Sequence, residues 1–247
     1  MTLNTIKSGD TFTTNQGCQL VVVSCESSIN VVVEFLDKNK YKFTTRSSSL
    51  RHGRVKNPFY PSMQGVGYLG VGNYRACIEG KHTPSYRAWT SMMGRCYNEK
   101  FLVRCPIYTG CSVHPDWHNF QAFSDWYKVE PNSDTLGFEL DKDLRQAGNK
   151  IYGPYTCSFV PQQINVLLGY CGPDRGLLPQ GVKKNGKKFE AQININGHIK
   201  YLGNYDTPEI AFNAYKNCKE SHVKLKAKEW RKEIHFEVYD YLMNWTL

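Results

Sequence analysis

The sequence lacks the features that would place the protein in a membrane or outside a cell. Its nine cysteines are an odd number and include no Cys-x-x-Cys pair, so they do not fit a disulfide framework. No apolar run approaches the ~20 residues that span a bilayer, and the N-terminus has no charged-then-apolar signal pattern. These absences predict a protein of the reducing cytoplasm that has no membrane partner.

The cysteines also lack the spacing of a metal site. Cys96, Cys105 and Cys111 could ligate a metal together with Cys157, but their spacings match no zinc pattern. The favoured interpretation is that these side chains are small buried apolar groups with free thiols.

Positive charge, in contrast, is abundant and unevenly distributed. The chain has a formal net charge of +9 and a pI near 9.0, which suits a polyanionic partner, although solubility alone is the competing explanation. Residues 179–232 hold twelve Lys or Arg and five Asp or Glu side chains, a net charge of +7. Because a focused positive field attracts phosphates, this stretch is the first candidate for a nucleic-acid interface.

The first 57 residues show the pattern of short strands. Residues 19–24 and 31–36 are β-branched and apolar, residues 41–45 alternate as a half-buried strand does, and turn residues separate the three runs. Closely spaced short strands predict a small β-barrel at 1–57.

A glycine-rich stretch follows, in which Gly65, Gly67 and Gly70 have the spacing of a dinucleotide-binding loop. That loop requires a strand before the glycines and a helix after them. Here Pro58 and Pro61 precede and a polar stretch follows, so the pattern favours a tight loop without a dinucleotide.

Two amphipathic helices are predicted beyond the glycines. Apolar residues recur at helical spacing from Tyr86 to Cys96 and again from Trp117 to Tyr127, which is typical of core-facing stripes. Arg87 and Arg95 fall outside the first stripe, so we expect them to be available to DNA phosphates.

The basic stretch itself predicts a three-stranded sheet. Residues 189–195 alternate apolar with polar side chains, Asn196-Gly197 signals a hairpin turn, and residues 198–201 form the return strand. Amides can bond adenine edges, and lysines bind guanine or phosphate. The predicted DNA-binding side chains of this sheet are Lys183, Lys184, Lys187, Lys188, Gln192, Asn194 and Lys200.

A helix is predicted after the sheet, because Thr207 can cap it and Pro208 suits its first turn. Its apolar side would cover the apolar face of the sheet and leave the polar face open.

The sheet and the helix carry a set of motifs in a fixed order: Gly181-Val182, Phe189-x-Ala191-x-Ile193, Tyr201-Leu202-Gly203, Asp206-Thr207 and Ala211-x-x-Ala214-Tyr215. Over about 50 residues they resemble the ethylene-response (apetala-type) DNA-binding domain, which implies major-groove recognition by the sheet. The sheet arginines and tryptophans of plant members are not matched.

A second resemblance covers residues 86–168. It is carried by Trp89, Arg95-Cys96-Tyr97, Gly110-Cys111-Ser112-Val113, Trp117-x-x-Phe120-x-x-Phe123, Leu140-Asp141-Lys142-Asp143, Tyr152-x-Pro154-x-x-Cys157 and Gln162-x-x-Asn165. These motifs resemble the His-Asn-His homing endonucleases of phages. In that family, a ββα fold holds one divalent metal ion at the scissile phosphate.

The nuclease resemblance implies a role for each matching residue. Asp141 and Asp143 would bind Mg²⁺ or Mn²⁺ together with Asn165, for which Gln162 is the alternative. Lys142 stands where the family has its general base, and between two aspartates it suits a phosphate clamp better than a base. His118, or else His114, would then supply the base.

The whole pattern predicts an α+β protein of several modules. The expected parts are a small β-barrel at 1–57, a His-Asn-His-like ββα-metal module at 58–175, an apetala-type three-stranded sheet plus helix at 176–230, and a C-terminal helix at 231–247 that docks on the chain's own core. The expected function is a homing-type endonuclease that cleaves or nicks double-stranded DNA, in the host cytoplasm if it is a phage protein. The alternatives are a non-catalytic DNA-binding regulator and, in third place, a protein-interaction inhibitor with a basic surface.

Overall fold

A computed structural model of the chain describes residues 5–168 and 178–247. The fold is mixed α+β, which confirms the predicted class. The chain divides into two compact units, Met1–Tyr127 and Lys128–Leu247. The linker predicted at 169–178 and the module boundary at 175/176 lie, except for Leu178, outside the described residues.

The first unit begins with a four-stranded antiparallel sheet in the order β1-β2-β3-β4. The strands are β1 (Thr11–Thr13), β2 (Gln19–Ser27), β3 (Asn30–Phe35) and β4 (Lys42–Thr45). The predicted barrel is wrong: among the described residues, β1 pairs only with β2 and β4 only with β3, so the sheet stays open. Its apolar face is covered instead by side chains outside the sheet, among them Leu50 of helix α1 (Ser47–Arg51) and Val55. A covered face removes the need for closure.

The rest of the first unit is a small aromatic core. Its elements are β5 (Cys77–Ile78), β6 (Lys81–His82), α2 (Pro84–Tyr97), α3 (Glu99–Arg104), a 3-10 turn (Pro106–Tyr108), β7 (Ser112–Val113), a second 3-10 turn (Pro115–His118) and α4 (Phe120–Val129), whose last residues belong to the second unit. Trp89, Trp117, Phe120 and Phe123 are almost fully buried. The Trp89 Nε1 donates a hydrogen bond of 2.7 Å to the Trp117 carbonyl. The two aromatic stripes therefore form core, as the sequence predicts.

The glycine-rich stretch is a loop fitted against this core. A Cβ on Gly70 or Gly72 would lie within 3 Å of the Asn119 or Gln121 side chain. The Gln121 amide closes the loop by donating to the carbonyls of Leu69 and Tyr74. The glycines thus serve close packing, and no helix follows them directly.

The described residues of the second unit form two antiparallel sheets and three further helices. Its elements are β8 (Phe138–Asp141), β9 (Ile151–Tyr152), β10 (Ser158–Pro161), α5 (Gln162–Leu168), β11 (Val182–Asn185), β12 (Lys188–Ile195), β13 (His198–Tyr205), α6 (Pro208–Glu229) and α7 (Phe236–Asn244). β8 pairs with β10, and β11, β12 and β13 form a sheet in sequence order. Val238 and Leu242 of α7 are buried in a cluster with Val223 and Ala227 of α6. The last helix therefore docks on the chain's own core, as predicted.

Candidate nucleic-acid interface

The sheet β11-β12-β13 has one covered face. Ala191 and Ile193 of β12 are buried on the side where α6 packs. Thr207 caps α6 by accepting a hydrogen bond from the Ile210 N–H. Gly181 is required beneath this helix, because any Cβ there would overlap the ring of Tyr215. Burial of these apolar groups fixes which face remains for a partner.

The opposite face of the sheet is open and carries amides. Side chains alternate along a strand, and cross-strand partners share a face. By the observed pairing, Gln192 and Asn194 share the open face with Asn185 and Asn204. Tyr201 and Ile199 belong to the same face and are 56% and 68% exposed. The open face thus combines hydrogen-bonding amides with two uncovered apolar groups.

A β-bulge decides which residues of β13 reach the open face. The register shifts between Ala191 and Gln192, so that Ala191 pairs with Gly203 while Gln192 pairs with Tyr201. Leu202 is the extra residue, and a one-residue shift moves every later side chain to the other face. Without the bulge, Lys200 would share the face of Asn194; with it, Lys200 pairs with Ile193 on the helix side.

The lysines predicted to bind DNA are therefore divided between two faces. Lys183 and Lys188 share the open face, whereas Lys184 and Lys200 are on the other face and Lys187 is in the β11–β12 turn. The expectation that the lysines share one face with the amides therefore holds for Lys183 and Lys188, and the pairing register corrects it for Lys184 and Lys200. All five lysines are exposed.

The two open-face lysines are ion-paired within the sheet region. The Lys183 Nζ lies 2.9 Å from a Glu190 carboxylate oxygen, and the Lys188 Nζ lies 3.3 Å from an Asp206 oxygen. Both pairs are at the surface, where such contacts contribute little stability and exchange readily. The open face is consequently close to electrically neutral, with cations at its rim.

The two predicted base-reading amides differ in their surroundings. The Asn194 Oδ1 accepts a 2.9 Å hydrogen bond from the Gly197 N–H and so helps to close the hairpin turn. Asn196 and Gly197 both have positive φ, +53° and +84°, as a type I′ turn requires. The Gln192 side chain makes no hydrogen bond to the described residues and is free to bond a base.

The two arginines that we expect to meet phosphate lie in the first unit. Arg87 is exposed on α2. Arg95 is half-buried, and its guanidinium lies 5.9 Å from the centre of the Tyr108 ring. Its cation–π contact ties part of that side chain to the protein.

The segment that resembles a nuclease has a strand–loop–strand–helix order. β8 and β10 are antiparallel, with Asp141 opposite Ser158, and α5 follows β10 directly. This arrangement places Asp141 at the end of the first strand and Asn165 on the helix.

Asp141 is engaged by the backbone of its own loop. Its Oδ1 accepts hydrogen bonds of 2.8 Å from the N–H groups of Asp143 and Leu144. Burial raises the pKa of this carboxyl, and the two backbone hydrogen bonds oppose that rise. The carboxylate therefore acts in the structure as the cap of a turn.

Lys142 is a buried cation with partners in the same loop. Its side chain is only 8% exposed, and its Nζ lies 2.6 Å from an Asp143 oxygen and 3.3 Å from the Asn149 carbonyl. The Asn149 amide in turn donates to the Lys142 carbonyl at 2.8 Å. The ammonium thus holds the loop that follows β8.

Asn165 and Gln162 point to a carboxylate that the sequence analysis did not single out. Their amide groups lie 3.0 and 3.1 Å from the two oxygens of Glu139. Glu139 precedes Asp141 by two residues and so shares its face of β8. Strand alternation was the signal that could have identified it.

His118 and His114 are both in the first unit. The His118 ring bonds the Val113 carbonyl at 3.1 Å, and the His114 ring accepts from the Asp116 N–H at 3.3 Å. The predicted catalytic residues are therefore divided between the two units, with the two histidines in one and Asp141, Lys142 and Asp143 in the other.

The residues predicted to bind Mg²⁺ or Mn²⁺ each bond a protein partner in this arrangement. Asp141 caps a turn, Asp143 binds the Lys142 ammonium, and Asn165 binds Glu139. A divalent ion at Asp143 would also meet the buried lysine charge. Within residues 5–168 and 178–247, no group of three or more His, Cys, Asp or Glu side chains is placed to hold a metal.

None of the cysteines in the described part of the chain forms a disulfide. Cys96, Cys111 and Cys157 are buried and Cys105 is half-buried. Burial raises the pKa of Cys157 to about 12, so it is a neutral thiol at ordinary pH. Cys96, Cys111 and Cys157 thus belong to the core as small apolar groups, as the sequence analysis predicts.

Comparisons with known proteins give no relative from which a function could be inferred: no family model, curated protein or solved structure matches the chain. None of the helices in the described residues is long and apolar enough to cross a membrane. The cytoplasmic setting and both family resemblances stay predictions.

Proposed function

We propose that the protein binds double-stranded DNA through the open face of the sheet β11-β12-β13. The observation that carries this proposal is the set of amides with exposed Tyr201 and Ile199 on the face opposite α6. Exposed apolar and aromatic side chains on one face are typical of a binding surface, because their burial against a partner is favourable.

A twisted three-stranded sheet suits the major groove of B-DNA. An amide such as Gln192 would bond an adenine edge bidentately, and an apolar side chain such as Ile199 would contact a thymine methyl group. Lys187 in the turn and Lys184 and Lys200 on the far face are at the rim, where the two phosphate backbones would pass. The exposed ion pairs of Lys183 and Lys188 would exchange for phosphate contacts.

Binding without cleavage is the activity that the contacts of the candidate residues support best. The three side chains of Asp141, Lys142 and Asp143 are engaged with one another or with their own loop. The β8–β10–α5 segment would then be a scaffold in a DNA-binding regulator.

The first test is selection of a preferred site from a random duplex library, followed by fluorescence anisotropy with that site. Gln192→Ala should weaken discrimination against a wrong base pair by about 1–3 kcal/mol, because one bidentate contact is lost. Asn213→Ala removes an exposed amide from α6 and serves as the matched control, with unchanged affinity. Equal behaviour of the two variants would refute the placement of the interface. Absence of any duplex binding at low salt would favour the protein-interaction inhibitor.

A second candidate function is a metal-dependent DNA endonuclease. It is favoured by one observation, the order of β8, β10 and α5 with Asp141 at the end of the first strand. Supercoiled plasmid incubated with Mg²⁺ or Mn²⁺ should then become nicked or linear, and both a chelator and Asp143→Ala should stop the reaction. Intact plasmid at protein concentrations that saturate duplex binding would reject this candidate and retain the first.

A further inference from the structure

A cavity of about 850 Å³ lies in the second unit between α5, α6 and the end of β12. Its size is that of pockets that hold small organic ligands, roughly 300–1,000 Å³. It exists because β11 is shorter than β12. β11 begins at Val182, which pairs with Ala191. The Gln192 N–H donates one further hydrogen bond, of 2.8 Å, to the Gly181 carbonyl. Beyond that point, no described strand pairs with this edge of β12.

One wall of the cavity is basic. Lys219, His222 and Lys226 of α6 line it, and their spacing of three and four residues puts them on one side of the helix. Lys226 also contacts Glu229, with 2.6 Å between the Nζ and a carboxylate oxygen. Burial lowers the pKa of His222, Lys226 and Lys219 lower it further, and Glu229 raises it. This wall therefore brings two lysines and a histidine to the cavity, beside the Glu229 carboxylate.

The remaining walls carry amides and apolar side chains. Gln162 and Gln163 of α5 and Gln192 and Asn194 of β12 line the cavity, and they supply donors and acceptors in pairs. Val166, Ile193 and Tyr215 provide apolar contact. Cations on one side with amides and apolar groups on the other suit a ligand that has a phosphate and a flat polar ring system.

We propose that this cavity binds a single nucleotide unit, with its phosphate at Lys219 and Lys226 and its base between the amides of α5 and β12. The site goes beyond duplex recognition, since it lies at the strand edge and not on the open face alone. A ligand with a phosphate and a base can be either a free nucleotide or one nucleotide within a single-stranded nucleic acid. A nucleotide of the strand could reach the cavity because Gln192 and Asn194 belong to both surfaces.

Isothermal titration calorimetry with the full chain tests the site. Deoxyadenosine 5′-monophosphate should bind, and deoxyadenosine should bind about tenfold more weakly because it lacks a charge-assisted contact to lysine. The dinucleotide d(ApA), with and without a 5′-phosphate, separates the sources. Tighter binding of the dinucleotide assigns the site to a strand, and tighter binding of the mononucleotide assigns it to a free nucleotide.

Three variants of α6 make the test specific. Lys219→Ala should weaken mononucleotide binding about tenfold, Lys219→Arg should retain it, and Lys224→Ala, a lysine of the same helix outside the cavity lining, should leave it unchanged. Thermal unfolding checks that each variant is folded. The proposal is overturned if no nucleotide binds at millimolar concentration, or if Lys219→Ala behaves like Lys224→Ala. Duplex affinity of the same variants keeps this outcome separate from failure of the sheet interface, because none of the three alters the open face.

Discussion

The β8–β10–α5 segment and the sheet β11-β12-β13 use polar side chains in opposite ways. In the former, Asp141, Lys142 and Glu139 bond partners within the segment. In the latter, the Gln192 side chain has no hydrogen-bond partner among the described residues, and Tyr201 stays 56% exposed. A polar group that is buried must be satisfied internally, whereas an exposed group is satisfied by water and can exchange water for a ligand. The difference separates side chains that stabilise the fold from those available to bind DNA.

The largest effect on stability is expected when the buried ammonium group of Lys142 is removed. Lys142→Ala should lower the free energy of unfolding by about 2–4 kcal/mol, because a nearly buried side chain and its contacts are lost. Lys142→Met keeps the aliphatic stem and should cost clearly less. Urea denaturation measures both. If Lys142→Ala is as stable as the wild type but abolishes cleavage of DNA, the lysine is catalytic and the assignment of a structural role is wrong.

The turn capped by Asp141 gives the next effect. Asp141→Ala should destabilise the protein by about 1–3 kcal/mol, because the Asp143 and Leu144 N–H groups lose their acceptor. Asp141→Asn retains an acceptor oxygen and is the matched control. Loss of activity in both variants without loss of stability would point to a catalytic carboxylate.

The same carboxyl predicts a pH dependence. Because its folded-state pKa is raised above the ordinary value of 3.8, its contribution to stability is fully present below that value and is lost as pH rises through the folded pKa. The stability of the wild type relative to Asp141→Asn should therefore decrease over that interval. Urea titrations at a series of pH values measure it, and a constant difference contradicts the burial of the carboxyl.

The smallest effects on stability are expected at the rim of the sheet. Lys187→Ala with Lys200→Ala should change the free energy of unfolding by about 0.5 kcal/mol or less. The slope of log affinity against log salt for duplex DNA should fall by about one per lost phosphate contact. Lys128→Ala, an exposed lysine outside the sheet, is the control. An unchanged slope in the double variant would place the DNA backbone elsewhere.

Local patterns predicted much of the fold. The aromatic stripes, the Asn196-Gly197 turn, the alternation of β12 and the cap at Thr207 all appear in the structure, because each depends on residues close in sequence. The open N-terminal sheet was not predicted, since closure depends on what covers the apolar face. Leu50 and Val55 come from outside the strands, and their packing leaves no signal in the strand pattern.

The candidate site was predicted less completely than the fold. The sequence placed Lys183, Gln192 and Asn194 in one sheet, but it did not reveal the bulge at Leu202 that turns Lys200 away and exposes Tyr201. Gly203, with φ of +140°, was the available signal, because glycine inside a strand often marks a bulge. Glu139 was missed because its partners Gln162 and Asn165 lie more than twenty residues along the chain.

The sequence by itself determined the mixed class, the strands and helices of the C-terminal stretch and the excess of positive charge, because periodicity, turn residues and composition are local properties. Only the tertiary structure decided which polar side chains bond other parts of the protein and which stay available to a ligand. The sequence predicts a catalytic site at Asp141, Lys142 and Asp143. In the structure, these side chains bond one another or the backbone of their own loop. Strand register and burial arise from contacts between distant segments, and they determine which side chains remain able to meet DNA.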